Sequence, residues 1–476
     1  MKIAFLTLGC KLNYAETSTY ERGFRAAGLE VTDWRDASAD VYLINTCSVT
    51  QHSDNKCRNI IRKCHRTSPD AVIVVTGCYA QLRRDEVAAL EGVSLVFGAD
   101  QKKQLVPDTL AFLSDGADIL SKDKKIMAND LVDRVPDSSD GADILSKDQK
   151  MMVHGRLDRM SAPLTVIAGT DRQSPSTVIS TERSEWRNPP LAAYSTGERT
   201  RSFLKVQDGC DNFCAYCTVP YARGRSRNIP ICELVKQAES IAEQGIKEIV
   251  LTGVNTGDFG RTTGESFLDL LKALNAVDGI ERYRISSIEP NLITEEIVDW
   301  IASGTKFLPH FHIPLQVGCD RLLKAVGRKY DTALFASRID YIRAKMGPYV
   351  FFGIDVIVGL PGESEEDFQQ TFNFLKDRIK PAFIHIFPYS KRPGTRAALM
   401  PDQVQDSIKT ERVKKLEDLC EALHSTFAES CRGLSENVLW EGAVKGGRMS
   451  GYTGNYLRVE RPYDTAKIGT IERITL

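Results

Sequence analysis

The sequence CDNFCAYC at residues 210–217 places three cysteines within eight residues, at the spacing Cys-x3-Cys-x2-Cys. Three thiolates so close together can converge on one metal centre. A tetrahedral zinc site needs a fourth ligand, and no neighbouring histidine or cysteine in the sequence supplies it. The same three thiolates can hold a [4Fe–4S] cluster and leave one iron open to an external ligand. The motif therefore predicts an iron–sulfur cluster with an open position, with a structural zinc loop as the alternative.

The segments around this motif, from Ser202 to about Ser390, alternate between strand-like and helix-like patterns. The candidate strands are FLKVQ, EIVLTG, YRISSI, FHIPLQ, FFGIDVIVG and AFIHIF. About six strand–helix units at this spacing predict a partial (β/α) barrel, whose first strand ends at the cysteine motif. Active sites of such barrels lie at the carboxyl ends of the strands. We therefore expect the open iron at the mouth of the barrel, where substrate chemistry takes place.

Residues 1–104 show the same alternation on a smaller scale. The runs KIAFLTL, VYLIN and VIVVT lack polar alternation, which is typical of a parallel sheet buried on both faces. Each run is followed by a cysteine, namely Cys10, Cys47 and Cys78. The carboxyl ends of parallel strands meet at one edge of a doubly wound sheet, where such folds bind their ligands. We therefore expect the three thiols to form a second metal site, with three buried apolar cysteines as the alternative.

Two further segments differ from this pattern. Residues 105–195 are rich in Ser, Asp, Lys and Pro, and SDGADILSKDKKIM at 114–127 returns at 139–152 with 12 of 14 positions identical. Two copies are too few to stack into a repeat fold, so we interpret the segment as a low-complexity linker or insert. The C-terminal residues have the pattern of short strands with Gly-rich turns. The sequence thus predicts four parts, at 1–104, 105–195, 196–432 and 433–476.

The composition limits the classes of protein to which the chain can belong. Its 12 cysteines among 476 residues are too few for a disulfide-dense secreted scaffold, and its net charge of −1 excludes a basic tail as the main contact to nucleic acid. No apolar run approaches the roughly 18 residues of a membrane span. The run Ile3–Leu8 is shorter than the roughly 7–15 residues of the apolar region of a secretory signal peptide. We therefore expect a cytoplasmic protein without a membrane partner, in which spaced cysteines bind metals.

The cysteine motif resembles the Cys-x3-Cys-x-aromatic-Cys signature of the radical S-adenosylmethionine (SAM) superfamily, with Tyr216 as the aromatic residue. The sequences LGCKLNYAET, INTCSVT and TGCYAQ resemble the N-terminal domain of the methylthiotransferases within that superfamily. PYARGRSRN, HIPLQVGCDRLLKAVGRKY, DVIVGLPGE and FPYSKRPGT follow in the order typical of the family. The resemblance covers nearly the whole chain apart from residues 105–195. It implies an α/β fold with an N-terminal doubly wound parallel sheet domain, a central partial (β/α)6 TIM-like radical SAM barrel and a small C-terminal β-barrel, the TRAM-like domain.

The resemblance also implies the cofactors, which are two [4Fe–4S] clusters and SAM. In this family one SAM donates its methyl group to a sulfur on the auxiliary cluster, and a second SAM is cleaved to a 5′-deoxyadenosyl radical, so no acid–base residue is implied. The implied metal ligands are Cys10, Cys47 and Cys78 for the auxiliary cluster, and Cys210, Cys214 and Cys217 for the cluster that binds SAM. The candidate SAM contacts are Tyr216, Val254, Asn255, Ser287, Glu289, Gln316, Arg328, Asp355 and Gly359. Val317 and Cys319 stand where the family usually has serines, which removes two hydroxyl groups.

The activity that the family implies is insertion of a methylthio group at carbon 2 of adenosine 37 in tRNA. Lys11 and Asn13 in LGCKLNYAET are most similar to the branch that modifies N6-threonylcarbamoyladenosine. The isopentenyladenosine branch typically has Gln-Met-Asn at this motif, and the branch that modifies a ribosomal-protein aspartate typically has Pro-Lys-Asn. Both branches are alternatives, as is a non-catalytic iron–sulfur protein that binds RNA.

The implied partners are the tRNA anticodon stem-loop, an electron donor and a sulfur source, and we expect a monomer. Arginine suits phosphate oxygens because its guanidinium donates in a planar fork. The near-zero net charge moves the search for RNA contacts to local basic residues beside the barrel mouth and in the last domain. The candidates are Arg223, Arg225, Arg227, Arg458, Arg461 and Lys467.

Overall fold

The computed structural model describes residues 1–35, 38–115, 190–195 and 200–476. Its N-terminal part is built on five parallel strands. They are β1 (Lys2–Thr7), β2 (Glu30–Thr32), β3 (Val41–Thr46), β4 (Val72–Gly77) and β5 (Val93–Val96). Their order in the sheet is β2-β1-β3-β4-β5, with parallel pairing throughout. Every residue of β3 is buried, as the unbroken apolar run VYLIN predicts for a central parallel strand.

Helices cover both faces of this sheet. They are α1 (Lys11–Ala26), α2 (Gln51–Thr67), α3 (Cys78–Leu82), α4 (Arg84–Ala88) and α5 (Leu105–Asp115). Tyr20 and Phe24 of α1 pack with Leu105 of α5 on one face, and Cys57 and Ile61 of α2 pack on the other. The predicted doubly wound domain is therefore confirmed.

The segment 105–195, predicted as a low-complexity linker, begins with a helix. Its residues 105–115 form α5, whose apolar side chains pack against the N-terminal sheet. The pattern Leu105, Val106, Leu110 and Leu113 has helical spacing, which explains why the segment packs here. Nearly all of the direct repeat at 114–127 and 139–152 lies outside the described residues.

The central part contains six parallel strands that form the partial barrel. They are β7 (Arg201–Lys205), β10 (Glu248–Thr252), β11 (Arg282–Ile285), β12 (His310–Gln316), β13 (Phe351–Val358) and β14 (Phe383–Pro388). Three shorter strands flank them: β6 (Ala193–Tyr194), which is antiparallel to β7, and the pair β8 (Gln207–Asp208) and β9 (Arg227–Asn228). The sheet β11-β10-β7-β6 is joined to the sheet β12-β13-β14 by bridges from Tyr283 to Phe307 and from Ser287 to His312. The predicted partial barrel is thus confirmed.

A short helix, α6 (Val219–Arg223), lies at the barrel mouth and contacts α3 of the N-terminal domain. The helices that cover the outside of the barrel are α7 (Ile231–Glu243), α8 (Phe267–Asn275), α9 (Glu295–Ala302), α10 (Asp320–Ala325), α11 (Thr332–Met346), α12 (Glu365–Asn373) and α13 (Asp406–Ser430). Alternate strand residues such as Leu204, Ile249 and Leu251 face these helices in one large core. Phe203 and Val250 point to the opposite, inner face, where they pack with Tyr14 and Ala15 of α1. Helix α1 of the N-terminal domain therefore lies against the inner wall of the barrel.

The C-terminal part is an antiparallel half-barrel sheet. Its strands are β15 (Ser435–Lys445), β16 (Arg448–Tyr452), β17 (Arg458–Pro462) and β18 (Ile471–Thr475). Their order is β17-β16-β15-β18, and the pairing of β15 with β16 shifts between Trp440 and Val444, where the sheet bends. Arg284 of β11 donates to the carbonyl oxygens of Thr453 and Gly454, which docks this domain on the barrel. Among the described residues, no helix is both long enough and apolar enough to cross a membrane.

Candidate active site

The three cysteines of the N-terminal domain meet at the carboxyl edge of its sheet. Cys10 precedes α1, Cys47 follows β3 and Cys78 begins α3. A Cβ atom on Gly9 (φ +108°) would lie 2.7 Å from the Cβ and 3.0 Å from the Sγ of Cys47, so only glycine allows this close approach. Burial, together with the neighbouring thiols of Cys78 and Cys10, raises the pKa of Cys47 to about 11. The fold therefore brings together three thiols that come from distant parts of the sequence.

Asn13 holds two of these cysteine loops together. Its Nδ2 donates to the carbonyl oxygen of Leu8 at 2.8 Å and to that of Thr46 at 3.0 Å, and these residues lie just before Cys10 and Cys47. The described cysteines form no disulfide. Three sulfur donors with glycine at the point of closest backbone approach are a donor set that fits three irons of a [4Fe–4S] cluster.

The second set of cysteines lies in the loop between β8 and α6, at the mouth of the barrel. The loop closes on itself because the N–H of Cys210 donates to the carbonyl oxygen of Gly224 at 3.1 Å. A Cβ atom on Gly209 (φ +74°) would lie 2.0 Å from the carbonyl oxygen of Arg225, so this turn requires glycine. Burial, together with the nearby thiol of Cys214, raises the pKa of Cys217 to about 12. This donor set also fits a cluster with one open iron.

Arg328 organises the polar groups next to this loop. Its guanidinium donates to the Sγ of Cys214 at 3.2 Å, to the hydroxyl of Tyr216 at 3.5 Å and to the carboxylate of Glu289 at 2.7 Å. The backbone N–H of Glu289 donates to the Oδ1 of Asn255 at 3.2 Å. Of the predicted SAM contacts, the structure thus gathers Tyr216, Asn255, Glu289 and Arg328 beside the three cysteines.

The other predicted SAM contacts occupy different positions. The N–H groups of Val254 and Asn255 both donate to the side chain of Gln207. The carbonyl oxygen of Ser287 accepts from the N–H of Thr256, so Val254 and Ser287 lie in the two loops that also carry Asn255 and Glu289. Gln316 ends β12 with a left-handed backbone (φ +71°). Asp355 lies on the inner wall, where it pairs with His312. The N–H of Gly359 donates to Glu363, and no contact among the described residues joins Gly359 to the cysteines.

A buried ionic network connects the two cysteine-bearing domains, and the sequence analysis missed it. Glu16 of α1 accepts from Lys102 at 2.8 Å, from Lys205 of β7 at 2.6 Å and from Arg223 of α6 at 3.2 Å. Asp208 accepts from Lys205 at 2.7 Å and from Arg223 at 2.9 Å. All five side chains are at most 5% exposed. One sequence signal was present, since Lys205 interrupts the apolar candidate strand FLKVQ.

The network corrects two of the predicted RNA contacts. Arg223 is 3% exposed and holds Glu16, Asp208 and Asn13, so its guanidinium is not available to a phosphate. Arg227 is also buried, and its Nη2 donates to the carbonyl oxygen of Arg223. The alternating arginines of RGRSR resemble a solvated basic loop, but carboxylates at the domain interface pair with the first of them.

The other four candidate RNA contacts are at or near the surface. Arg225 is exposed, pairs with Asp211 at 3.3 Å and stacks over the ring of Phe213 at 4.8 Å. In the C-terminal sheet, Arg458 pairs with Glu460. Arg461 and Lys467 both pair with Glu472, at 2.6 Å and 3.3 Å. These pairs are exposed or half-buried, so their charges can exchange partners with phosphate oxygens at little cost.

A second buried contact joins the N-terminal domain to the loop after β14. Arg392 donates to the carboxylate of Asp54 at 2.6 Å and to the hydroxyl of Ser48 at 2.7 Å, and Ser48 also bonds to Asp54 at 2.7 Å. Ser48 directly follows Cys47. The loop FPYSKRPGT of the barrel thus supports the backbone of one candidate cluster ligand.

Replacing Arg392 with glutamine should destabilise the protein by about 3 kcal/mol, because Asp54 becomes a buried charge without its partner. Urea denaturation followed by fluorescence measures this change. The matched control is Lys391→Gln, which removes an exposed charge from the neighbouring position and should change stability by less than about 0.5 kcal/mol. Equal denaturation midpoints for the two variants would contradict the assignment.

Comparisons with known proteins match both cysteine-bearing parts. The family model described as "Uncharacterized protein family UPF0004" matches residues 2–98, and that of the radical SAM superfamily matches residues 204–375. Among solved structures, the fold resembles the radical S-adenosylmethionine methyltransferase TsrM from Kitasatospora setae, with a TM-score of 0.52 and 14% identity over 94% of this chain and 77% of that chain. This likeness concerns the fold alone.

Curated relatives match over the full length of the chain. The threonylcarbamoyladenosine tRNA methylthiotransferase MtaB of Bacillus subtilis is 36% identical over 100% of this chain and 93% of its own length. The protein of the same name from Aquifex aeolicus is 34% identical over 100% of both chains. The tRNA-2-methylthio-N(6)-dimethylallyladenosine synthase of Nitratidesulfovibrio vulgaris is 29% identical over 96% of this chain and 89% of its own.

Proposed function

The chain belongs to the family of the MtaB tRNA methylthiotransferases, and we propose that it adds a methylthio group to carbon 2 of N6-threonylcarbamoyladenosine at position 37 of tRNA. The observation that carries this proposal is the joint presence of two three-cysteine sets on two domains held together by buried ion pairs. A methylthio transfer to an aromatic carbon needs a sulfur source and a way to activate a C–H bond that no general base can deprotonate. Two separate cofactor sites meet these two needs.

The chain is a radical SAM transferase, and its cofactors are SAM and two [4Fe–4S] clusters. We assign Cys210, Cys214 and Cys217 to the cluster that binds SAM, and the N-terminal three to the auxiliary cluster. When bound, these groups supply the radical on one side and the sulfur on the other. The residues around the two sites hold the cysteine loops in place. Arg328 donates to Cys214, Tyr216 and Glu289. Asn13 connects the loops before Cys10 and Cys47.

The similarity of the relatives supports the threonylcarbamoyl branch. Relatives named as threonylcarbamoyladenosine enzymes are 31–36% identical over 95% or more of this chain in four organisms and 28% identical in Chlamydia pneumoniae. The dimethylallyladenosine enzyme of Nitratidesulfovibrio vulgaris is 29% identical. Lys11 and Asn13 of LGCKLNYAET support the same branch. We propose the isopentenyladenosine and ribosomal-protein branches as the alternatives that an experiment must exclude.

The tRNA anticodon stem-loop is the proposed macromolecular partner. Its phosphates have proposed contacts on two parts of the protein. They are Arg225 beside the barrel mouth, and Arg458, Arg461 and Lys467 in the C-terminal domain. We further propose a monomeric protein that works in the cytoplasm, where tRNA is modified, and that receives electrons and sulfur from separate donors.

Mass spectrometry of tRNA nucleosides from a strain lacking the gene tests the proposed function. We expect 2-methylthio-threonylcarbamoyladenosine to disappear and threonylcarbamoyladenosine to accumulate, and a plasmid copy of the wild-type gene to restore the product. Unchanged 2-methylthio-threonylcarbamoyladenosine would contradict the proposal. Loss of the methylthio-isopentenyl nucleoside instead would assign the chain to the alternative branch.

A further inference from the structure

A polar layer lines the inner wall of the barrel, away from the cysteine loop. It contains His312 of β12, Asp355 of β13 and His385 of β14. The Nε2 of His312 lies 2.6 Å from the Oδ1 of Asp355, and the ring centroids of His312 and His385 are 4.8 Å apart. Such a layer suits a ligand with several polar atoms.

Lys11 reaches this layer from the N-terminal domain. It is the first residue of α1, and Tyr14 and Ala15, one turn further on, pack on Phe203 and Val250 of the inner wall. The beginning of α1 therefore faces the barrel interior. The side chain of Lys11 is partly buried there, and burial lowers its pKa, whereas the nearby Tyr456 and Asp355 raise it. Burial lowers the pKa of His385, and the charge of Lys11 in turn contributes to lowering it.

The ammonium of Lys11 is unpaired, whereas its cationic neighbours are not. Arg201 pairs with Glu441 at 2.6 Å, and Arg284 pairs with Glu248 at 2.9 Å. The side chain of Lys11 makes no hydrogen bond or ion pair with any residue in the described part of the chain. The nearest carboxylate in the polar layer, that of Asp355, is engaged by His312. A partly buried cation without a hydrogen-bonded partner, next to this layer of polar side chains, is a site for an anion.

His312, Asp355 and His385 also have the ligand types of a divalent metal site, with their donor atoms within 4.8 Å of one another. Two observations favour an anion. His312 and Asp355 hydrogen-bond to each other, so these two donor atoms are already engaged and less available to a metal ion. Lys11 adds a positive charge beside them, which opposes a cation and attracts an anion.

The substrate of the proposed function carries such an anion. A threonylcarbamoyl group places a carboxylate and a hydroxyl on N6 of adenine, whereas an isopentenyl group is apolar. In the adenine ring, N1 lies between C2 and the carbon that bears N6, so the reacting carbon and the N6 substituent share one edge of the base. Lys11 directly follows Cys10, a proposed ligand of the cluster that supplies sulfur to C2. A substituent on that edge therefore comes close to Lys11.

We propose that Lys11 binds the threonyl carboxylate of the substrate nucleoside and thereby selects threonylcarbamoyladenosine over adenosines with apolar N6 substituents. His312 and His385 line the same site and face the hydroxyl and urea groups of the substituent. When an adenosine with an apolar N6 substituent binds, the ammonium of Lys11 loses water and gains no partner. This cost makes the site reject such a substrate strongly. This inference rests on the proposed function.

The test compares two RNA stem-loops that differ in one group. One carries threonylcarbamoyladenosine, and the other carries the amide of its threonine carboxyl group. The reconstituted wild-type enzyme and the variants Lys11→Met, Lys11→Arg and Lys56→Met are assayed on both, where Lys56 is an exposed lysine of α2 that serves as the control. The ratio of kcat/KM for acid over amide is taken within each preparation, so differences in cluster loading cancel.

We expect wild type and Lys56→Met to prefer the acid by about 10- to 100-fold, the range for a charge-assisted hydrogen bond. Lys11→Met should lose this preference, mainly through a higher KM for the acid, and Lys11→Arg should keep most of it. An acid-to-amide ratio in Lys11→Met equal to that of wild type would overturn the inference while leaving the proposed function intact. Wild-type enzyme that methylthiolates neither RNA would overturn the proposed function, and the inference with it.

Discussion

Replacing Cys214 with alanine is expected to abolish reductive cleavage of SAM and to remove about half of the roughly eight irons that two [4Fe–4S] clusters bring to each chain. Cys214 lies in the loop at the barrel mouth, where Arg328 donates to its sulfur. Alanine offers no ligand, and two remaining thiols do not hold this cluster. The formation of 5′-deoxyadenosine with dithionite as reductant, together with iron and sulfide analysis of the anaerobically reconstituted protein, measures both effects.

The corresponding change in the other set should separate the two roles. Cys47→Ala should also lose about half of the iron but retain 5′-deoxyadenosine formation, because the barrel set is intact. Methylthio transfer to RNA should be lost in both variants. Cys232→Ala is the matched control, since Cys232 is an exposed cysteine of α7 that belongs to neither set. A Cys214→Ala protein that still cleaves SAM would refute the assignment of the barrel cluster.

The second large effect concerns stability. Glu16→Gln should destabilise the protein by about 3–5 kcal/mol, because the variant keeps the volume of the side chain but leaves three buried cations with Asp208 as their remaining carboxylate. These cations are Lys102, Lys205 and Arg223, and they come from both domains. Urea denaturation gives the free energy of unfolding. Limited proteolysis should cut the variant faster than wild type, because the ion pairs that hold the N-terminal domain on the barrel are weakened.

The pH dependence of this effect follows from the charges. Burial alone would raise the pKa of Glu16, but Lys102, Lys205 and Arg223 hold it below its usual value. A carboxyl whose pKa is lower in the folded state stabilises the fold above its unfolded pKa of about 4.3, and this contribution is lost as the pH falls below that value. Wild type should therefore lose stability on acidification through this range, and Glu16→Gln should lose less.

Glu21→Gln on the same helix is the control for both measurements. Glu21 pairs with Arg25 near the surface, so its loss should cost less than about 1 kcal/mol. If Glu16→Gln unfolds at the same urea concentration as Glu21→Gln, the buried network does not hold the two domains together.

The cysteines could be identified from the sequence because their positions follow simple rules. Each N-terminal cysteine stands at the end of an apolar run, and parallel strands deliver such ends to one edge. The barrel set is compact, so its spacing alone indicates a shared metal. Tyr216, Glu289 and Arg328 lie beside the cysteines because they belong to the ends of barrel strands or to motifs of known order, and their contact with SAM stays a prediction.

The ionic network could not be identified in this way. Glu16 and Arg223 are 207 residues apart, and nothing in the local sequence of either indicates the other. Their burial depends on how two domains pack, which is decided by long-range contacts rather than by periodicity. Because the domain packing cannot be derived from local sequence, Arg223 was predicted as a surface contact to RNA although it is buried. The helix at 105–115 has apolar residues at helical spacing, but it was missed because the start of the linker was set before it, together with the polar segment that follows.

The most direct test of the account is methylthiolation in vitro by the anaerobically reconstituted protein. The reaction contains SAM, a reductant, a sulfide source and an anticodon stem-loop with threonylcarbamoyladenosine at position 37, and the digested RNA is analysed by mass spectrometry. We expect 2-methylthio-threonylcarbamoyladenosine with wild type and none with Cys47→Ala or Cys214→Ala. Product formation by either cysteine variant, or 5′-deoxyadenosine without any methylthiolated nucleoside from wild type, would contradict this expectation.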